Sequence, residues 1–148
     1  MSNGSKGGDT VTLVASILGV KRKIKGRMDF DKLIREGLQY SAVLRMKESL
    51  KLTEQELSDI LGVSPRTFIR YKEKRKRFSP VESDRAYRYA KIFANAIDVF
   101  GGEEEAREWL HIPQTGLGGR VPLDMMRTEA GAQEVEDLLG RIEYGVVL

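Results

Sequence analysis

The chain has 148 residues, 25 Lys and Arg against 22 Asp and Glu, one histidine and no cysteine. That length suits one compact domain or two very small ones, the lack of cysteine excludes disulfides and thiolate metal sites, and no apolar run approaches the ~20 residues that cross a bilayer. The net charge of +3 conceals a gradient: residues 1–78 hold 18 basic against 9 acidic side chains, 79–100 hold 3 against 3, and 101–148 hold 4 against 10.

Residues 1–28 read as a flexible, basic N-terminal segment. MSNGSKGGDT is rich in Gly, Ser and Asn and predicts disorder. The apolar VTLVASILGV, Val11 to Val20, has its positive cluster, KRKIKGR (Lys21 to Arg27), behind it and shows no small-residue cleavage pattern, so it does not read as a signal peptide. From Asp29 onward the apolar spacing is helical. DKLIREGL predicts a short helix stopped near Gly37. Ser41 offers a cap for the next, in which Val43, Met46 and Leu50 share a face. Thr53 and Glu56 have capping-box spacing, and Leu57, Ile60 and Leu61 face inward until Gly62 ends the helix.

Ser79-Pro80-Val81-Glu82 repeats the capping-box pattern with proline at the first helical position. The helix it opens is expected to reach Phe100 and is apolar over most of its circumference, which makes it a central strut and a candidate dimer element. Gly101-Gly102 breaks it, EEEAREWL predicts another helix, and Val135, Leu138, Leu139 and Ile142 form the apolar stripe of a last one. Period-two alternation is scarcely present, so the expected fold class is all-α.

The window from Leu52 to Arg77 carries the requirements of a helix-turn-helix. Gly62 supplies the turn, Ser58 the small residue at the crossing, and Leu57, Leu61, Val63, Phe68 and Tyr71 the inward contacts. Ser64 caps the second helix and Pro65 starts it. Ser64, Arg66, Thr67, Ile69, Arg70 and Glu73 then fall on or beside the face that meets base edges. Arg66 and Arg70, one turn apart, can both enter one groove, where arginine pairs bidentately with guanine. KEKRKR continues with Lys72, Lys74, Arg75 and Lys76, charges suited to phosphates, which fix register without reading sequence. A single module binds weakly, so a homodimer on paired half-sites of operator DNA is expected. The division read from these patterns is 29–78 for the DNA-binding part and 79–148 for the rear domain.

The rear half carries the wrong charge for DNA. Its Trp109-Leu-x-x-Pro113, Leu117-Gly-Gly-x-x-Pro122-Leu-Asp124 and Leu139-Gly-x-Ile142-x-Tyr144-Gly145 runs resemble the toxin-binding domain of the Xre/MbcA/ParS antitoxin family. EGLQYSAVLRMKESLKLTEQELSDILGVSPRTFIRY resembles the Xre-like half of the same family, so the resemblance spans about residues 30–148. It implies a type II antitoxin, cytoplasmic and non-enzymatic. Its cognate partner would be a RES-domain toxin that depletes NAD, and it would repress its own operon within a larger toxin–antitoxin complex. A toxin that holds an anionic dinucleotide is expected to have a basic cleft, and an acidic partner domain complements it. The toxin-binding set implied is Arg141, Tyr144, Gly145, Val146, Val147 and Leu148. In it the apolar tail and its carboxylate would enter the nucleotide site; the alternative is a tail folded back on its own helix.

No cofactor, metal or membrane partner is expected. Trp109 reads as core, and Gly116, Gly118 and Gly119 as a turn, since no strand precedes them and no Lys-Ser/Thr follows. His111 has no nucleophile partner pattern and takes no catalytic role. The competing reading is a stand-alone regulator whose rear domain dimerises or senses a ligand; a neighbouring toxin gene discriminates between the two.

Overall fold

The computed structural model describes residues 4–145, with side chains from Thr10 onward. It divides into two compact units, Met1–Ala90 and Lys91–Leu148. All regular elements among the described residues are helices, apart from one isolated bridge between Gln114 and Arg120. None of the helices is long and apolar enough to cross a membrane.

The first unit opens with α1 (Gly4–Ile17), which takes in part of the stretch whose composition predicts disorder. Gly4 to Thr10, poor helix formers by composition, are the first turns of a helix. The reason lies downstream: Val14, Ile17 and Leu18 are buried, and α1 packs on α3 (Tyr40–Leu50), so tertiary burial holds a helix that propensity alone would not. The basic linker that follows is pinned as well, by an ion pair between Arg22 and Glu36 at the end of α2 (Arg27–Glu36). That pair lowers the Glu36 carboxyl below its usual range, chiefly through the hydrogen bond from Arg22, and raises the guanidinium in turn.

Gln39, not Ser41, occupies the N-cap of α3; Ser41 lies inside the first turn. Val43, Met46 and Leu50 are buried as the spacing predicts. Helix α4 (Glu54–Leu61) begins with the complete Thr53/Glu56 capping box, the Thr53 amide donating to Glu56 at 2.8 Å and the Glu56 amide to the Thr53 hydroxyl at 3.0 Å. Gly62 ends it in the left-handed region at φ 70°. A Cβ there would also lie 2.8 Å from the Arg85 guanidinium, which donates to the Leu61 carbonyl. Helix α5 (Pro65–Glu73) follows directly.

Phe78 closes this unit. It is 2% exposed and its ring meets those of Phe68 (5.7 Å), Tyr71 (5.1 Å) and Tyr40 (6.5 Å). Its amide donates to the Leu38 carbonyl, while the Leu38 amide donates at 2.8 Å to the hydroxyl of Ser83, which is fully buried. The chain after α5 is therefore tied to the turn before α3 by backbone and ring contacts together. Helix α6 (Pro80–Phe100) starts at the predicted Ser79/Glu82 box, both bonds present, and buries Ala86, Tyr89 and Ala90 in this unit.

In the second unit, α6 buries Ile92, Phe93, Ala94 and Ala96. The helix α7 (Glu103–His111) carries Glu103, Glu104 and Glu105 in its first turn, where the backbone dipole favours that sign. Trp109 is half-buried with its ring 5.4 Å from Phe100. The glycines form the expected turn: Gly118 and Gly119 both have positive φ around a short 3-10 helix, Thr115–Leu117, and Gly116 leaves room for Leu138. After α8 (Pro122–Met125), α9 (Glu129–Glu143) is capped by the Thr128 hydroxyl, which accepts from the Gly131 amide. Gly131 is required by space, since a Cβ would lie 1.9 Å from the Met125 carbonyl oxygen. Glu136 of α9 meets Lys91 (3.6 Å) and Asn95 (3.4 Å) of α6.

Candidate nucleic-acid interface and a second surface

The geometry of α4 and α5 starts from their caps. The Gly62 amide donates to the Ser58 carbonyl at 2.8 Å and Val63 joins the same carbonyl at 3.2 Å, a tight stop that turns the chain in three residues. Ser64 then caps α5: its hydroxyl accepts from the Thr67 amide at 3.2 Å and lies 3.0 Å from the Thr67 hydroxyl. Two of the residues proposed to meet DNA thus use their hydroxyls on each other. Pro65 occupies the first turn.

Inward, Tyr71 is buried and Phe68 half-buried against Phe78. Burial, with Glu82 3.5 Å from the hydroxyl, raises the Tyr71 phenol above its ordinary range. Outward, Arg66, Ile69 and Arg70 are exposed together, and Ile69 at 59% is a large apolar side chain left in water. Such a residue between two arginines fits a surface that meets both guanine edges and a thymine methyl. Ser58 is buried, and its hydroxyl has no hydrogen-bond partner among the described residues. It lines a groove of about 220 Å³ among α3, α4 and α5, whose other walls include Tyr40, Leu44, Glu54, Ile69 and Lys72.

The basic run does not continue the helix. α5 ends at Glu73, the Arg75 amide donates to the Lys72 carbonyl and the Lys76 amide to the Tyr71 carbonyl, which is a Schellman stop. Arg75 takes its left-handed position at φ 51°, where glycine is the common occupant. Lys72, Lys74, Arg75 and Lys76 are all exposed, so the stop turns a linear run of charge into a compact cationic knuckle. Lys76 lies 4.9 Å from the centre of the Tyr71 ring, and Arg77 donates to the Gly37 carbonyl at 2.9 Å.

The second surface is the end of α9. Val135, Leu138 and Leu139 are buried, but Ile142, read from its spacing as the fourth member of that stripe, is 39% exposed and Tyr144 is 73% exposed. Ile142 is the residue that periodicity misplaces: it lies in the last turn of α9 and is less covered by the described residues than the three before it. Arg141 is half-buried, its Nε enclosed without a partner among the described residues, and Gly145 has positive φ. Val146, Val147 and Leu148 lie outside the described residues. No cluster of three His, Asp or Glu positioned for a metal ion occurs among the described residues.

A capped helix pair with a cationic outward helix, joined to a small helical domain of acidic character, defines a helix-turn-helix protein with a second interaction module. Residues 29–91 match the antitoxin Xre-like helix-turn-helix domain, and residues 95–145 match the antitoxin Xre/MbcA/ParS C-terminal toxin-binding domain. The chain is 38% identical over 96 residues to an Antitoxin Xre of Yersinia enterocolitica, a match covering 64% of this chain and 65% of that protein. It is 32% identical to an Antitoxin Xre of Photorhabdus laumondii over 78% of each chain, and 32% identical to one of Pseudomonas putida over 76% of this chain and 69% of that one. This chain belongs to the Xre antitoxin family, whose members are regulatory proteins and not enzymes. The sequence-based division at 78/79 falls at the start of α6, whereas the compact units and the matched domains meet further along that helix.

Proposed function

We propose that this protein is the antitoxin of a type II pair whose toxin is a RES-domain enzyme that depletes NAD, and that it represses its own operon through α4 and α5. The observation that carries this reading is the pairing of two matched domains with opposite charge. The helix-turn-helix end is cationic, and residues 101–148 hold 4 basic against 10 acidic side chains. An acidic module is complementary to a cleft built for an anionic dinucleotide, which speeds encounter with the toxin. Arg66, Ile69 and Arg70 read base edges, and Lys72, Lys74, Arg75 and Lys76 hold phosphates. Ser64 and Thr67 set the entry of α5, and a homodimer occupies paired half-sites. On the toxin side, Ile142 joins Arg141, Tyr144, Gly145 and the tail from Val146 to Leu148. The setting is cytoplasmic, where operator and toxin meet.

The test couples both arms. Co-expression with the toxin encoded beside it is expected to yield a copurifying complex and to restore cellular NAD. Removal of Val146 to Leu148 is expected to lose that protection, and full protection by the shortened chain would refute the tail's part. On DNA from upstream of the operon, Arg66→Ala and Arg70→Ala are expected to change sequence preference. Lys74→Ala and Lys76→Ala are expected to weaken all duplexes alike and flatten the salt dependence. Four variants with the same behaviour would remove the assigned roles.

A further inference from the structure

Three grooves of the first unit follow one another as a track, each sharing lining residues with the next. The groove beside α5 shares Tyr40 and Lys72 with a second of about 420 Å³, which Arg75, Lys76 and Arg77 also line. The second shares Gln39, Ser41 and Arg77 with a third of about 340 Å³, and that one reaches Lys21 and Arg22. The series leads from the groove beside α5, which Ile69 and Lys72 line, to the linker behind α1. Neither matched domain includes that linker.

The second and third grooves carry only basic charged side chains in their walls, whereas the first is mainly apolar and holds Glu54 beside Lys47 and Lys72. Glu36 is bound to Arg22, so of the two exposed linker cations that line the third groove Lys21 is the one outside that ion pair. Arg77 lines both the second and the third groove, and its guanidinium donates to the Gly37 carbonyl. The linker's position is also set from the other side, since Val14, Ile17 and Leu18 are buried and α1 packs on α3. Lys21 is thus held on the scaffold and does not swing on a free arm. The first turn of α3, in which Gln39 makes no side-chain cap bond, faces the same grooves.

We infer that Lys21 and Arg77 form a second phosphate-binding station, which extends the DNA footprint from the recognition helix to the linker after α1. The ligand is the duplex sugar-phosphate backbone, one or two phosphates beyond those met by Lys72 to Lys76. The inference rests on the nucleic-acid reading above. It adds affinity without sequence preference, because phosphates carry none.

The test uses the full chain and two duplexes of equal length, one from upstream of its own operon and one scrambled. Affinity is measured across a salt series for the unaltered protein, Lys21→Ala, and Lys23→Ala, an exposed charge of the same linker that lines none of the grooves. Loss of one phosphate contact reduces the slope of log K against log salt by about 0.9, so the gap between the unaltered protein and Lys21→Ala is expected to change about 3.5-fold between 50 and 200 mM salt. That change is expected on both duplexes, with Lys23→Ala close to the unaltered protein and the melting temperatures equal. A Lys21→Ala slope equal to the unaltered one, or equal to that of Lys23→Ala, overturns the station and leaves the helix-turn-helix reading intact. Failure of the unaltered protein to bind either duplex overturns both.

Discussion

Arg75 offers a substitution in which stability and DNA binding should move in opposite directions. It sits at φ 51° in the Schellman stop after α5, with its amide on Lys72 and the Lys76 amide on Tyr71. An L-residue in the left-handed region costs about 1–2 kcal/mol, and the extra freedom of unfolded glycine returns about 0.4–1 kcal/mol, so Arg75→Gly is expected to stabilise the fold by roughly 0.5–1 kcal/mol. For a domain of this size that is a rise of roughly 2–8 °C in Tm. The side chain is exposed and the residue's hydrogen bond to Lys72 is made by its backbone amide, so little folded-state contact is lost. If Arg75 holds a phosphate, the same variant binds every duplex more weakly, and its salt slope falls by about 0.9. Urea unfolding and a DNA salt series on one preparation measure both effects. A less stable Arg75→Gly would show that the left-handed turn is not strained there. Unchanged DNA affinity at every salt concentration would show that the strain is not kept for binding.

Two further substitutions check the packing. Phe78→Ala removes the ring shared by Tyr40, Phe68 and Tyr71 and is expected to cost about 3–5 kcal/mol in urea unfolding; a loss below about 1 kcal/mol would mean that the ring cluster does not anchor α5. Glycines 131 and 140 lie in the same helix but differ in space, the first with Met125 in its path and the second with nothing within 4 Å. Gly131→Ala is therefore expected to destabilise by about 1–3 kcal/mol through overpacking, and Gly140→Ala to stabilise by about 0.5–1 kcal/mol; effects of the same sign would refute the contact.

Local chemistry wrote much of this protein in readable form. The Thr53/Glu56 and Ser79/Glu82 boxes, the Ser64-Pro65 start and the Gly62 stop are short-range bonds between neighbours, and each forms as its residue types dictate. The helix-turn-helix and its outward arginines followed, because 3.6-residue periodicity separates inward from outward positions without reference to the rest of the chain. The resemblance to a family rested on three short runs of the rear domain, the middle one holding the Gly118-Gly119 turn.

Tertiary contact decided the remainder. Gly4 to Ile17 form a helix because α3 covers Val14, Ile17 and Leu18, a condition that no composition rule contains. Phe78 packs against α5 and α3 through partners ten and thirty-eight residues away, Phe68 and Tyr40, and Ile142 stayed in water although its spacing matched the buried stripe. Lys21 and Arg77 line one groove only because buried side chains and the Arg22–Glu36 pair bring their segments together. Sequence alone determined caps, turns and the faces of single helices, since those depend on atoms a few bonds apart. Which faces are covered, and which distant charges meet, depended on long-range packing, and only the folded chain supplies that.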